Sequence, residues 1–519
     1  MLRKIRVTLA IVFFAAITLL FLDFTGTIHA WLGWMAKIQF LPAIFALNTV
    51  VIIALIAKFL PAIFALNTVV IIALIAITLI FGRIYCSVIC PLGVFQDIVS
   101  WISSKRKKKK ARFSYSPAKS WLRYSILAIF IIAFIAGIHS LVALLAPYSS
   151  YGRIVSNLFA PIWQWGNNVL ASVAEHYDSY AFYRTDVWLK SLPTFIIAAL
   201  TFCIVIVLAW KNGRTYCNTV CPVGTVLGFL SKYALLKPVI DTDKCKGCSL
   251  CSRKCKASCI DYKNHTIDYS RCVDCMDCID NCEFDAIHYG LRKKNNHVIE
   301  NDDTKGKKKN PASRRTFITL SALMAAETVL KAQEKKVDGG LAIIEDKKIP
   351  NRATAIVPPG AISHSNFATH CTACQLCVSV CPNGVLRPST DITRLMQPEM
   401  SYERGYCRPE CTKCSEVCPT GAINLIDIAE KSAIQIGHAV WVKENCVPLT
   451  DGVECGNCAR HCPTGAIQMV NSDPADPESP KIPVVNIERC IGCGACENLC
   501  PARPFSAIYV EGHEVHRTV

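Results

Sequence analysis

A chain of 519 residues that is 52% hydrophobic and only 18% charged is too apolar for a wholly water-soluble protein of this length, so part of it belongs in lipid. Its 30 cysteines far exceed ordinary usage. A formal net charge of +17 would suit a nucleic-acid binder, but the basic runs flank apolar spans, which is the pattern of membrane topology.

The chain opens on Arg3, Lys4 and Arg6 and then runs without charge from Val7 to Leu22. No A-x-A-like cleavage site follows, so this reads as a retained span and not as a removed signal peptide. Ile38–Ala57, Phe59–Phe81, Trp121–Pro147 and Pro193–Trp210 are also apolar and long enough, or nearly so, to cross a hydrocarbon core. Eight of the nine tryptophans precede residue 211, several at span ends, where interfacial anchors belong. The segment FLPAIFALNTVVIIALIA stands at 40–57 and again, unchanged, at 59–76. One helix over 38–81 would be about 66 Å long, roughly twice the hydrocarbon thickness. One copy is therefore expected to be displaced, leaving four core spans.

The basic N-terminus and the basic loop 83–120, with Lys105, Arg106 and Lys107–Lys110, both belong on the cytoplasmic side. Residues 148–192 then lie outside, and Lys211 to about Ala312 inside. A Lys-rich linker at 291–312 leads to SRRTFITLSALMAAE from Ser313. Its twin-arginine dipeptide and short apolar run read as an export signal; the alternative is a surface helix after a basic linker.

KCKGCSLCSRKC places Cys245, Cys248, Cys251 and Cys255 in a C-x2-C-x2-C-x3-C run, and RCVDCMDCIDNC repeats it with Cys272, Cys275, Cys278 and Cys282. Three thiolates at this spacing wrap three corners of an iron–sulfur cubane, and the fourth cysteine of each run serves the other cluster. This assigns Cys245, Cys248, Cys251 and Cys282 to one [4Fe–4S] cluster and Cys272, Cys275, Cys278 and Cys255 to another. Zinc prefers two separated pairs around a tetrahedron and suits such runs poorly. The usual proline after the fourth cysteine is replaced by Lys256 and Glu283, and Cys259 is an extra thiol able to stand in for Cys255.

Four further groups follow, numbered I to IV: Cys371, Cys374, Cys377 and Cys381; Cys407, Cys411, Cys414 and Cys418; Cys446, Cys455, Cys458 and Cys462; and Cys490, Cys493, Cys496 and Cys500. Each ends in Cys-Pro, and groups II and III have widened spacings. Sixteen ligands imply four more clusters, making six. Spacing leaves open which of these groups exchange their fourth ligands.

A different motif occurs twice, GRIYCSVICPLGV from Gly82 and GRTYCNTVCPVGT from Gly213. Each puts C-x3-C-P just after a span on the cytoplasmic side, and on a helix residues four apart share a face. The pairs Cys86 with Cys90 and Cys217 with Cys221 thus supply four thiolates for a joint metal or cluster, or act as redox dithiols; the alternative is a structural turn at each span end. Asp23, His29 and His139 stand in or near spans, as haem or quinone contacts or as hydrogen-bonded bundle residues. Cys203, within the fourth span, reads as a small buried apolar residue. There is no C-x-x-C-H haem motif and no dinucleotide fingerprint.

On these motifs, residues 1–290 resemble the NapH/MauN family of membrane ferredoxins, and the part from Ser313 onward resembles NapG, a four-cluster ferredoxin, through SRRTF and VPPGAISHSNFATHCTACQLC. The resemblance implies a quinol-oxidising membrane module with menaquinol or another quinol as donor, a redox protein (a reductase or cytochrome) as partner, and a place in the bacterial inner membrane with the last domain exported to the periplasm. It also implies fourth-ligand exchange between groups I and IV and between II and III.

The expected architecture is an α-helical membrane domain over 1–237, of about four core spans plus the duplicated segment. A two-cluster α+β ferredoxin-like domain over 238–292, a basic linker over 293–340 and a four-cluster domain over 341–519 follow. The expected function is a membrane-bound iron–sulfur electron carrier from the quinol pool. The competing readings are a carrier from a cytoplasmic donor to the membrane, and a redox-sensing or metallocentre-assembly protein.

Overall fold

The computed structural model describes residues 1–23, 25–45, 63–106, 113–291, 337–338, 342–343 and 345–518. Most of the duplicated segment, Lys107–Lys110 and the twin-arginine segment lie outside the described residues.

The apolar runs form helices, in which each backbone group bonds within its own segment and apolar surroundings cost it nothing. Among the described residues two helices are long and apolar enough to cross a membrane: α1 (Leu2–Leu22) and, after the shorter ones, the 21-residue helix Leu192–Asn212. Beside them stand α2 (Ile63–Phe81), which is 19 residues long, α3 (Pro91–Arg106) and α4 (Ser120–Ile135), which has 16. The expected span Trp121–Pro147 is interrupted. Helix α4 stops at Ile135, Gly137 takes a left-handed φ of +74°, and the chain restarts in short helices from His139 and from Pro147. A left-handed residue cannot continue a right-handed helix, so glycine sets the break.

The restart at Pro147 is α5 (Pro147–Ile154), buried along its whole length. It runs into a π-helical turn at Val155–Phe159 and then α6 (Ala160–His176). The long Leu192–Asn212 helix is α7. Pro193 sits in its first turn, where no N–H is needed, and Gly213, with φ +68°, ends it. Apolar Ile196, Leu200, Ile204 and Val207 are exposed along one α7 stripe, a surface suited to lipid. Cys203 is also exposed there and is not the buried filler its apolar surroundings suggested. The short helix α8 (Pro222–Ser231) completes the bundle.

Two thiol-rich domains pack at opposite ends of these helices. The first is closed by an antiparallel pair, β1 (Leu236–Ile240) with β2 (Ile287–Leu291). It takes Arg3 at the start of α1 through Asp277 and Asp280, at 2.8 and 2.7 Å, and its Lys256 carbonyl accepts from Arg214 N just past the end of α7 at 2.8 Å. The second domain is organised by β3 (Ile434–Trp441) paired with the last strand, Ile508–Thr518. Its Lys413 Nζ donates to Thr25 O just past the end of α1 at 2.7 Å, and its Val378 O accepts from Lys190 Nζ just before α7 at 2.8 Å. Arg387 and Arg404 flank the Trp188 ring at 4.4 and 4.6 Å. A 21-residue helix rises about 31 Å, so α1 and α7 each hold the two domains roughly a hydrocarbon thickness apart.

Candidate iron–sulfur sites

The chain in C-x2-C-x2-C runs is bent by a repeated backbone device. The residues immediately before and after the second cysteine are left-handed: Gly247 and Ser249, Asp274 and Met276, Ala373 and Gln375, Gly492 and Gly494. This conformation turns successive amides and sulfurs toward one point, the concave arrangement that receives an anionic centre. Four non-glycine residues with side chains larger than alanine, Ser249, Asp274, Met276 and Gln375, hold it at an intrinsic cost, so the surroundings over-determine it. The widened groups II and III do not repeat the device.

The cysteines fall around separate cavities. One is lined by Cys245, Cys248, Cys251 and Cys282 with Tyr262 and Phe284. A second is lined by Cys255, Cys259, Cys272, Cys275 and Cys278. In the last domain one cavity is lined by Cys381, Cys407, Cys411 and Cys414, and another by Cys446, Cys455, Cys458 and Cys500. Cys418 stands among Cys371, Cys374 and Cys377, and Cys462 beside Cys490 and Cys493, within charge–charge reach. The fourth cysteine of group I therefore stands with group II and that of group II with group I, and groups III and IV are interleaved the same way. This corrects the I–IV and II–III exchange that the family resemblance implied. Two successive runs close into one compact pseudo-symmetric unit, which places neighbours in sequence together. The two units touch where Cys407 N donates to Cys493 O at 2.9 Å.

The donor set fits iron–sulfur clusters. Among the described residues no three His, Cys, Asp or Glu side chains converge as they would around a single ion. Backbone amides point at sulfurs: Ala373 N at Cys371, Ile423 N at Cys418 and Ala507 N at Cys500, at 3.3–3.5 Å. Burial and neighbouring thiolates push the Cys251 thiol up to about 11 and the Cys493 thiol up to about 12, so these sulfurs need a cationic core to hold them ionised. Cys255 goes the other way. A hydrogen bond from Cys259, 3.5 Å away, outweighs burial and brings it down to about 7.

The two C-x3-C-P motifs meet in the bundle. Cys86, Cys90, Cys217 and Cys221 are all buried and lie within charge–charge reach of one another. The two halves interlock reciprocally. Arg83 donates to Cys217 O at 3.4 Å and points Nη2 at Cys86 Sγ, 3.9 Å away; Arg214 donates to Cys86 O at 2.7 Å and points Nη1 at Cys217 Sγ, 3.9 Å away. Gln96 donates to Cys217 Sγ at 3.2 Å. A Cβ on Gly93 would stand 2.3 Å from Cys86 O of its own motif and 2.7 Å from Arg214 Nη1 of the other, and one on Gly224 2.1 Å from Cys217 O and 3.0 Å from Arg83 Nη2, so glycine lets each motif fold tightly and admit the opposing guanidinium.

The same motifs seat the first thiol domain. Gly82, at φ +71°, lets Asp274 reach Arg83 N at 2.7 Å, and Gly213 lets Lys256 O reach Arg214 N. Buried Asp274 is pushed up to about 6 despite Arg83. Lys256, standing where proline is usual, spans Asp97 and Asp277 at 3.0 Å each, and Asp97 also takes Arg214 at 2.7 Å and Arg6 at 3.4 Å. Burial alone would raise Asp97, but Arg214, Lys256 and Arg6 hold it well below the usual carboxylate range.

Sequence reading singled out neither Arg83, Arg214 nor Asp97, and marked Lys256 only as standing in for proline. The repeated Gly-Arg-x-Tyr-Cys was the one signal for the arginines; Asp97 carried none. At the other end of α1, Asp23 accepts from the backbone of Gly26 and Ile28 and from His29 Nδ1 at 2.8–3.1 Å, a helix-end cap. His139 stands apart from the thiols of the bundle, near His370.

Similarity to known proteins agrees with this geometry. Residues 62–110 and 194–241, each holding one C-x3-C-P motif, match a family model described as a 4Fe-4S binding domain. Residues 268–385, 370–447 and 453–503 match models described as 4Fe-4S dicluster domains. The methylamine utilization ferredoxin-type protein MauM of Paracoccus denitrificans is 34% identical over 155 residues, which is 29% of this chain and 69% of MauM. The chain belongs to this family of ferredoxin-type proteins. The MauM of Methylobacillus flagellatus is 32% identical over 31% of this chain and 70% of its own. The ferredoxin-type protein NapG of Escherichia coli is 32% identical over 28% of this chain and 64% of its own. The chain spans 40% of the length of an uncharacterized Methanocaldococcus jannaschii protein that it matches at 31% identity. No solved structure matches the chain. The 4Fe-4S family models and the ferredoxin-type relatives together support an iron–sulfur electron-transfer protein with redox proteins as partners.

Proposed function

We propose that this MauM-family ferredoxin is a membrane-bound relay that takes electrons from the quinol pool and delivers them to a redox protein. Its domains in this reading are 1–237, 238–292 and 341–519, joined by the linker 293–340. Six [4Fe–4S] clusters are held by Cys245, Cys248, Cys251 and Cys282; by Cys272, Cys275, Cys278 and Cys255; by Cys371, Cys374, Cys377 and Cys418; by Cys407, Cys411, Cys414 and Cys381; by Cys446, Cys455, Cys458 and Cys500; and by Cys490, Cys493, Cys496 and Cys462. Such clusters, when bound, accept and release single electrons over a wide range of potential. The protein's part is to hold thiolates in dry cavities, aim amides at their sulfurs and set neighbouring groups in contact. Cys86, Cys90, Cys217 and Cys221 hold a further metal centre, supported by their shared burial within charge–charge reach of one another and by the two matches to a 4Fe-4S binding domain.

The single observation that carries the reading is the placement of two multi-thiol domains at the two ends of apolar helices α1 and α7. It favours a multi-pass protein of the bacterial inner membrane, NapH/MauN-like in its first part, with residues 345–518 on the periplasmic side. Anaerobic protein in detergent, mixed with a reduced menaquinol analogue, should lose visible charge-transfer absorbance. Bleaching by dithionite but not by any quinol would exclude the quinol pool and favour a donor protein at residues 238–291.

A further inference from the structure

An unbroken run of buried groups links the first thiol domain to the last through the bundle. Cys272 Sγ faces Asp274 Oδ1 at 3.7 Å, and the other oxygen of Asp274 accepts from Arg83 N. The Arg83 guanidinium then reaches the four-thiol site. On the far side of that site Tyr216, next in sequence to Cys217, lies within charge–charge reach of Cys221 and Arg153 and hydrogen-bonds Ser150 of α5. Arg153 in turn lies within such reach of Cys374. The backbones meet as closely: a Cβ on Gly152 would sit 2.4 Å from Cys374 O. Asn157, in the π-helical turn, donates to Gln375 Oε1 at 2.8 Å, inside the group I loop. Arg83, Arg153 and Arg214 are fully buried, and Tyr216 is 5% exposed.

The charge balance of this run is unfinished. Neither the Arg83 nor the Arg153 guanidinium bonds a carboxylate; their partners are carbonyls, an amide, a hydroxyl and, for Arg83, the Cys86 sulfur. Nε of each, and Nη2 of Arg214, is buried with no partner. Uncompensated buried cations are costly, and a thiolate-held centre of net negative charge between them would offset that cost.

We propose that the four-thiol site and the Tyr216–Arg153 bridge join the two domains electronically, so that the chain conducts across the membrane. A one-electron donor protein at the side of residues 238–291 is oxidised, a one-electron acceptor protein at the side of residues 345–518 is reduced, and no atom changes hands. The proposal rests on the reading of the thiol groups as cluster sites, and not on quinol as donor.

The test uses the full-length holoprotein in sealed vesicles with ferricytochrome c trapped inside and dithionite added outside. Molecules with residues 238–291 facing outward should reduce the trapped cytochrome. The Cys86→Ala/Cys217→Ala variant should lose this reduction, down to the leak rate of protein-free vesicles, while iron and acid-labile sulfide fall only by the share of one centre. Arg153→Met, which leaves all thiols in place, should slow the reduction with metal content unchanged and should weaken the magnetic interaction between the paramagnetic centres of the two domains. Trapped cytochrome reduced equally fast by the thiol variant, or not at all by wild-type protein whose two domains both bleach when dithionite is on both sides, would overturn the proposal. Protein without iron or sulfide at any group would instead overturn the underlying cluster reading.

Discussion

Replacing Asp97 with asparagine keeps the side chain's shape and removes one charge from the joint between the first thiol domain and the bundle. Asp97 is 14% exposed and accepts from Arg214, Arg6 and Lys256, whose side chains are 0, 7 and 11% exposed. Breaking a buried pair from one side costs about 3–5 kcal/mol, because the partner charge stays buried. Asp277 still compensates Lys256, at 3.0 Å, so the lower end, about 3 kcal/mol, is expected. At roughly 1.4 kcal/mol per decade this is on the order of a hundredfold in the ratio of docked to undocked domain. Hydrogen exchange should report it: amides of 236–291 and 213–225 exchange faster by that factor in Asp97→Asn, and those of 434–441 do not change. The sign with pH follows from the depressed pKa of Asp97. A folded-state pKa below the unfolded one gives stability that is present above the ordinary carboxylate range and lost only as pH falls through the folded value. The contribution of Asp97 should therefore hold unchanged from pH 8 to about 5, and the variant should be weaker than wild type throughout that range. Unchanged exchange in the variant would refute the claim that this carboxylate holds the domain.

Gly213→Ala sets a Cβ 2.4 Å from Lys256 O at a φ of +68°; the expected loss is about 1–3 kcal/mol, read as faster tryptic cleavage in 236–291. Cys255→Ser should lower iron content, and Cys259→Ser should not, since the Cys255 thiol is the one brought down to about 7; the opposite ranking would move the ligand to Cys259. Asn157→Leu strands the buried amide of Gln375 at about 1–3 kcal/mol, and should speed proteolytic release of residues 345–518. Cys203, exposed on the apolar stripe of α7, should react with a lipid-soluble maleimide in native membranes and resist a water-soluble one; equal labelling by both would place α7 outside the bilayer.

The cysteine runs were legible because ligation is local. Three thiolates at C-x2-C-x2-C need only a few left-handed residues to converge, and spacing alone announces them. Composition over twenty residues also announced helices, but of the four expected core spans only two helices among the described residues are long and apolar enough to cross a membrane. Local reading failed wherever a decision lay between distant segments. The 121–147 run looked continuous by hydropathy, yet Gly137 breaks it, and Cys203 looked buried because its neighbours are apolar, although those neighbours form an exposed stripe on α7.

The amino-acid sequence by itself determined the chemistry: thiolates in iron–sulfur spacing, on a chain with helices apolar enough for lipid. Only the tertiary structure decided which groups trade their fourth cysteine, that Cys86, Cys90, Cys217 and Cys221 share one buried site, and that the two thiol domains sit at opposite ends of α1 and α7. These are long-range pairings, fixed by how helices pack and by buried charges such as Asp97 and Arg214 finding each other across 117 positions of chain. No periodicity or spacing within one segment encodes such a meeting.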